Sequence, residues 1–105
     1  MTVTTGAPVA CVARHLRIRG VVQGVGFRRL VFRLAAKYRL TGWVRNDNDG
    51  VEIHAEGLAS DITALIEILE TSAPAAARIT AVELAPAERL NLDGFEILES
   101  DRPEI

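Results

Sequence analysis

A chain of 105 residues is sized for one domain with a modest core of its own. The net charge of −2 hides an uneven distribution: residues 1–46 carry nine Arg and Lys and no acid, whereas residues 47–105 carry three Arg and fourteen Asp and Glu. The basic half draws small anions, while the acidic half and a total of five aromatic residues argue against nucleic-acid binding. The single cysteine, Cys11, excludes an internal disulfide and a cysteine-based metal site, and His15 and His54 show no metal-ligand spacing. No window approaches a membrane span and no signal peptide opens the chain, so a cytoplasmic protein with no membrane partner is expected.

Residues 1–12 read as a flexible leader, residues 13–100 as the folded domain, and residues 101–105 as a polar tail or the start of a linker. In residues 14–20, Leu16 and Ile18 alternate with Arg17 and Arg19, the pattern of a half-buried strand. The glycine loop of residues 20–26 follows and opens a helix over residues 27–39. Its apolar face is Phe27, Leu30, Val31, Leu34, Ala35 and Tyr38. Gly42 sits where a helix C-terminus takes glycine. A second strand over residues 43–46 and a third from Val51 form a hairpin across the turn-rich segment 46–50. On the third strand Val51, Ile53 and Ala55 face the core, which puts His54 on the polar, exposed face; Trp43 is expected in the core. Ser60 is placed to cap a second helix with Ile62, Leu65, Ile66 and Leu69 inward, and Ala73 with Pro74 stops it. Residues 78–84 form a fourth strand, residues 86–93 a loop, and residues 94–99 a short last strand.

The order βαββαβ predicts an α+β ferredoxin-like sandwich, two helices on one face of an antiparallel sheet, with a short extra final strand. Strands one and three are then neighbours, and Arg17 and Arg19 are expected to pair with Glu52 and Glu56 across the open face.

The stretch Gly20-Val21-Val22-Gln23-Gly24-Val25-Gly26-Phe27-Arg28 is the candidate site. Glycines allow positive φ and a close approach to a ligand. The first N–H groups of the helix have no partner within it, and with the helix dipole they favour an anion. Arg28 adds a planar cationic fork suited to phosphate or carboxylate. The spacing fits neither a P-loop nor a dinucleotide fingerprint. From these residues alone, a phosphate cradle and a plain structural turn stand side by side.

The same stretch resembles the first acylphosphatase signature, and Gly42-Trp43-Val44-Arg45-Asn46 with Gly50 resembles the second. The likeness covers roughly residues 14–99. Gly50 followed directly by Val51, together with Asn46-Asp47 and Val51-Glu52, resembles the N-terminal domain of HypF-type carbamoyltransferases, which mature NiFe hydrogenases. That branch carries proline after the signature arginine; this chain has Arg29.

The resemblance implies metal-independent hydrolysis of carboxyl-phosphate mixed anhydrides without a cofactor. It implies a phosphate loop of Gln23, Gly24, Val25, Gly26, Phe27 and Arg28. Arg28 and Asn46 are the implied catalytic residues, Asn46 orienting the attacking water. The HypF likeness implies carbamoyl phosphate as substrate. It also implies the remaining carbamoyltransferase domains and a hydrogenase-maturation protein as partners of a domain that is monomeric when isolated. A free-standing acylphosphatase of broad range and a non-catalytic anion- or partner-binding module are the alternatives.

Overall fold

A computed structural model describes residues 11–24, 26–72 and 77–98. Val25, the leader up to residue 10, the helix stop at Ala73 and Pro74, and the tail lie outside the described residues.

Strand β1 (Cys11–Val21) begins earlier than its alternation suggests, because Cys11 and Val12 already pair with Leu58 and Gly57 of β3. Helix α1 (Phe27–Lys37) buries Phe27, Val31, Leu34 and Ala35, the face read from the spacing. It ends before Gly42: Tyr38 is the cap and Arg39 takes a left-handed φ of 57°. The N–H of Leu40 then closes the turn on the Ala35 carbonyl at 2.8 Å. Gly42 instead lies inside strand β2 (Thr41–Asp47) at φ 137°. A Cβ there would stand 1.7 Å from the His54 carbonyl oxygen, so its role is close strand approach rather than capping.

Strand β3 (Gly50–Leu58) pairs with β2 through a hairpin closed by Asn48 and Asp49. The Asp49 N–H donates to Asp47 Oδ1 at 2.9 Å, a local bond that holds the turn. Helix α2 (Ala59–Thr71) starts directly from β3 with Leu58 at the cap position and no side-chain cap. Ser60 is therefore inside the first turn and does not cap it. Asp61 in that turn meets the positive end of the helix dipole instead. Strand β4 (Arg78–Pro86) runs two residues beyond the predicted strand, and β5 (Phe95–Ile97) is the short last strand. Pro86 is tolerated because β4 is an edge strand.

The sheet order is β4-β1-β3-β2-β5. The first four strands pair antiparallel as expected, with β1 beside β3; β5 departs from this by pairing parallel with β2. One core joins Leu16, Ile18, Val44, Val51, Ile53 and Ala55 of the sheet to the inner faces of α1 and α2. Each fully buried large aliphatic contributes about 1.5–3 kcal/mol through removal from water.

The other face of the sheet corrects several expectations. His54 is buried, with its Nε2 2.7 Å from Glu56 Oε2 and its ring stacked on Trp43 at 5.9 Å. Trp43 thus packs on the outer face, beneath the Arg45 guanidinium at 4.8 Å, and is no part of the helix-covered core. The N–H groups of Leu90 and Asn91 donate to the two Glu56 oxygens at 2.6 and 3.2 Å, so the segment after β4 closes over this pair. Period-two alternation distinguishes the two faces of a strand but not whether a later segment covers one of them.

The predicted arginine pairs are exchanged for others. Arg17 meets Asp47 at 3.3 Å, and Arg19 meets Asp49 at 2.8 Å and Glu83 at 3.0 Å. Glu52 pairs with His15 and Arg45. Basic and acidic halves of the sequence therefore interleave across the outer face.

Burial pushes the Glu56 carboxyl up, but the bonds from His54 and the Leu90 and Asn91 N–H groups outweigh it and hold it below the ordinary carboxyl value. Stability from such a lowered group is complete above the unfolded carboxyl pKa and is lost as pH falls through the folded one. Glu56→Ala, which leaves a buried imidazole and two N–H groups unpartnered, is expected to lose about 3–5 kcal/mol in chemical denaturation at neutral pH. Its loss of stability on acidification should also be shallower than in the parent. A variant within 1 kcal/mol of the parent, on the scale of about 0–1 kcal/mol typical of an exposed pair, would show that the contact has no structural weight.

Candidate active site

The cradle forms where β1 passes into α1. Gly24 and Gly26 take φ of 76° and 83°, values that L-residues rarely adopt. Gly26 is the residue before the helix, and no side chain among the described residues caps the helix start. The orphan donors of the first turn are thus left for another acceptor. Phe27 is buried, so its ring anchors the loop to the core while its main chain opens the helix.

The loop is also tied to the β2–β3 hairpin. The Gln23 amide Nε2 donates to the carbonyls of Asp47 and Gly50, the latter at 2.9 Å. The Gly20 N–H donates to the Asp49 carbonyl at 2.9 Å. This cross-tie brings Asn46, near the end of β2, to the same end of the sheet as the loop.

Gly24, Gly26, Phe27, Arg28 and Asn46 line one cavity of about 340 Å³, and Arg29 joins them. Gln23 braces the loop through its side chain; Val25 lies outside the described residues. Arg28 is half-buried, and its Nη1 donates to the Leu98 carbonyl at 2.9 Å. Asn46 Oδ1 is closed off from the surface and accepts no hydrogen bond from the described residues. An amide beside a guanidinium and open helix N–H groups can hold an anion and a water at once. The contribution of Ile97 to the cavity wall and of the Leu98 carbonyl to Arg28 was not legible in the sequence. Neither a motif nor a spacing marks a main-chain acceptor seventy positions away.

The sequence profile of the acylphosphatase family matches residues 14–97. The chain belongs to the acylphosphatase family. An acylphosphatase from Acidovorax sp. (strain JS42) is 44% identical over 92 residues, covering 87% of this chain and 94% of that one. Carbamoyltransferase HypF2 of Cupriavidus necator is 50% identical over 91 residues, which are 86% of this chain but 11% of the relative. The acylphosphatase-family chain thus spans about 11% of the length of that larger relative. The crystal structure of full-length HypF in its phosphate- and nucleotide-bound form matches with a TM-score of 0.85 at 35% identity, over 92% of this chain and 13% of that one. This acylphosphatase domain is therefore homologous both to free acylphosphatases and to a part of HypF carbamoyltransferases. No helix among the described residues is long and apolar enough to cross a membrane.

Proposed function

We propose that this chain hydrolyses carboxyl-phosphate mixed anhydrides, with carbamoyl phosphate as its substrate in the setting of a hydrogenase-maturation carbamoyltransferase. The observation that carries this reading is the meeting of Gly24, Gly26, Arg28 and Asn46 in one cavity. The loop N–H groups and the Arg28 guanidinium hold the phosphoryl oxygens and stabilise the charge that grows on them. The Asn46 amide hydrogen-bonds a water and aligns it with phosphorus. The water oxygen bonds to phosphorus, the bond from phosphorus to the acyl oxygen breaks, and the carboxylate leaves with its electron pair. The water proton passes to a phosphate oxygen. With carbamoyl phosphate the products are carbamate and phosphate. An acyl phosphate has a good leaving group, so positioning and charge stabilisation suffice without a metal ion or a dedicated base.

The larger relatives support a place within a carbamoyltransferase, whose remaining domains would take the carbamate onward. The near full-length match to the Acidovorax acylphosphatase favours a second reading, a free-standing enzyme of broad range.

The test is hydrolysis of carbamoyl phosphate and benzoyl phosphate by the 105-residue chain, with and without EDTA and with a phosphate monoester as control. Turnover of the acyl phosphates is expected to be unchanged by EDTA, and the monoester to be left intact. Preference for carbamoyl phosphate supports the carbamoyltransferase setting; equal turnover supports the broad enzyme. No turnover, with a melting temperature that still rises with phosphate, would replace both by a binding module.

A further inference from the structure

Arg28 sits at the end of a flexible stem, yet the cradle requires its guanidinium in one place. Among the described residues its one hydrogen-bond partner comes from the residue after β5: the Leu98 carbonyl accepts from Nη1 at 2.9 Å. The N–H of the same residue donates to the Val44 carbonyl of β2 at 2.8 Å. Leu98 therefore bridges the strand that carries Asn46 and the arginine in the first turn of α1, using only its main chain.

Strand β5 is three residues long and lies at the sheet edge, parallel to β2, with Ile97 beside Val44. The Gly42 N–H holds its approach by donating to the Gly94 carbonyl at 2.9 Å. Phe95 meets Phe32 of α1 edge-on at 6.4 Å, which seats the strand on the helix. Ile97 also lines the cavity. A short edge strand thus touches both elements that present the site.

We propose that β5 is a clamp for Arg28, with the Leu98 carbonyl as a positioning group for the phosphate-binding guanidinium. The carbonyl occupies one of the five donors and restrains the side chain before substrate arrives. The remaining donors are then aligned without a search among rotamers at the moment of binding. This rests on Arg28 holding phosphate, as proposed above.

Titration calorimetry with inorganic phosphate on the full chain tests it, because binding is read without turnover. Leu98→Pro removes the N–H that fixes the carbonyl and is expected to raise the phosphate Kd by about tenfold, the scale of weakening one hydrogen bond to a charged group. Leu98→Ala keeps both main-chain groups and should restore affinity relative to Leu98→Pro. In an Arg28→Ala background, Leu98→Pro should add no further loss, since the group it positions is gone.

Equal weakening in both backgrounds would show a general structural effect and overturn the clamp. So would an unchanged Kd in Leu98→Pro. Should Leu98→Pro lose its fold by circular dichroism, Phe95→Ala carries the same comparison, with the same dependence on Arg28. A wild-type chain that binds no phosphate overturns the cradle reading itself, and the clamp with it. Wild-type binding that Phe95→Ala and Leu98→Pro leave untouched overturns the clamp alone.

Discussion

Arg28→Ala is expected to weaken phosphate binding and to lower kcat/KM for acyl phosphates by about 10²–10³-fold, the scale of removing one preorganised donor from a developing oxyanion. The guanidinium is the cation that the first helical turn adds to its own N–H groups, and it lines the cavity. It acts on the phosphoryl group both bound and in transit, so Kd for phosphate and kcat should both suffer. The side chain is half-buried and lies outside the hydrophobic core, so the melting temperature without ligand should move little. Arg28→Lys should fall between the two, because an ammonium supplies charge without the planar fork. Steady-state kinetics with benzoyl phosphate and calorimetry with phosphate read these effects. An Arg28→Ala chain with parental kcat/KM would remove arginine from the mechanism.

Asn46→Ala is expected to separate binding from chemistry. Turnover should fall by about 10²-fold or more, while the Kd for inorganic phosphate stays near the parental value. The amide orients the nucleophile rather than the phosphate, so its loss is felt only when water must attack. A second consequence comes from the burial of Oδ1 without a hydrogen-bond partner among the described residues. An unsatisfied buried acceptor costs about 1–3 kcal/mol, so the alanine variant should melt at the same temperature or higher. Stability held or raised with activity lost is the pattern of a polar group retained for chemistry. Full activity in Asn46→Ala would exclude water positioning by this residue. A parallel fall in phosphate affinity would assign it to binding instead.

Much of this site was legible because its parts are local. Positive φ at Gly24 and Gly26 is a property of one residue and its neighbours, so a glycine pattern announces it. The inner face of α1 follows from the 3.6-residue period, and the buried Phe27, Val31, Leu34 and Ala35 are the residues that period selects. The hairpin was visible in its turn residues, although its strands extend farther than the strongest propensity. The loop's tie to the hairpin was not visible. Gln23 looks like a member of the phosphate loop in sequence, while its side chain bonds the carbonyls of Asp47 and Gly50.

The errors share one cause. Gly42 resembles a helix stop by position, yet its need for glycine comes from the His54 carbonyl of a neighbouring strand. His54 alternates with core residues and so faces away from the helices; the return segment at Leu90 and Asn91 then buries the carboxylate to which it is bonded. Arg17 lies opposite Glu52 in the sheet register, but its long side chain reaches Asp47. Each outcome depends on a partner distant in sequence, and side-chain reach or chain return selects that partner.

The sequence by itself determined the βαββαβ order, the core faces of both helices and the glycine loop that opens α1. Local sterics and hydrophobic periodicity act within a few residues and leave a readable pattern. Only the tertiary structure decided that β5 runs parallel to β2, that the outer face buries a His54–Glu56 pair, and that Arg28 rests on the Leu98 carbonyl. These are main-chain and edge contacts between segments far apart in the chain. Main-chain N–H and carbonyl groups are chemically the same at nearly every position, so the fold alone selects which of them meet.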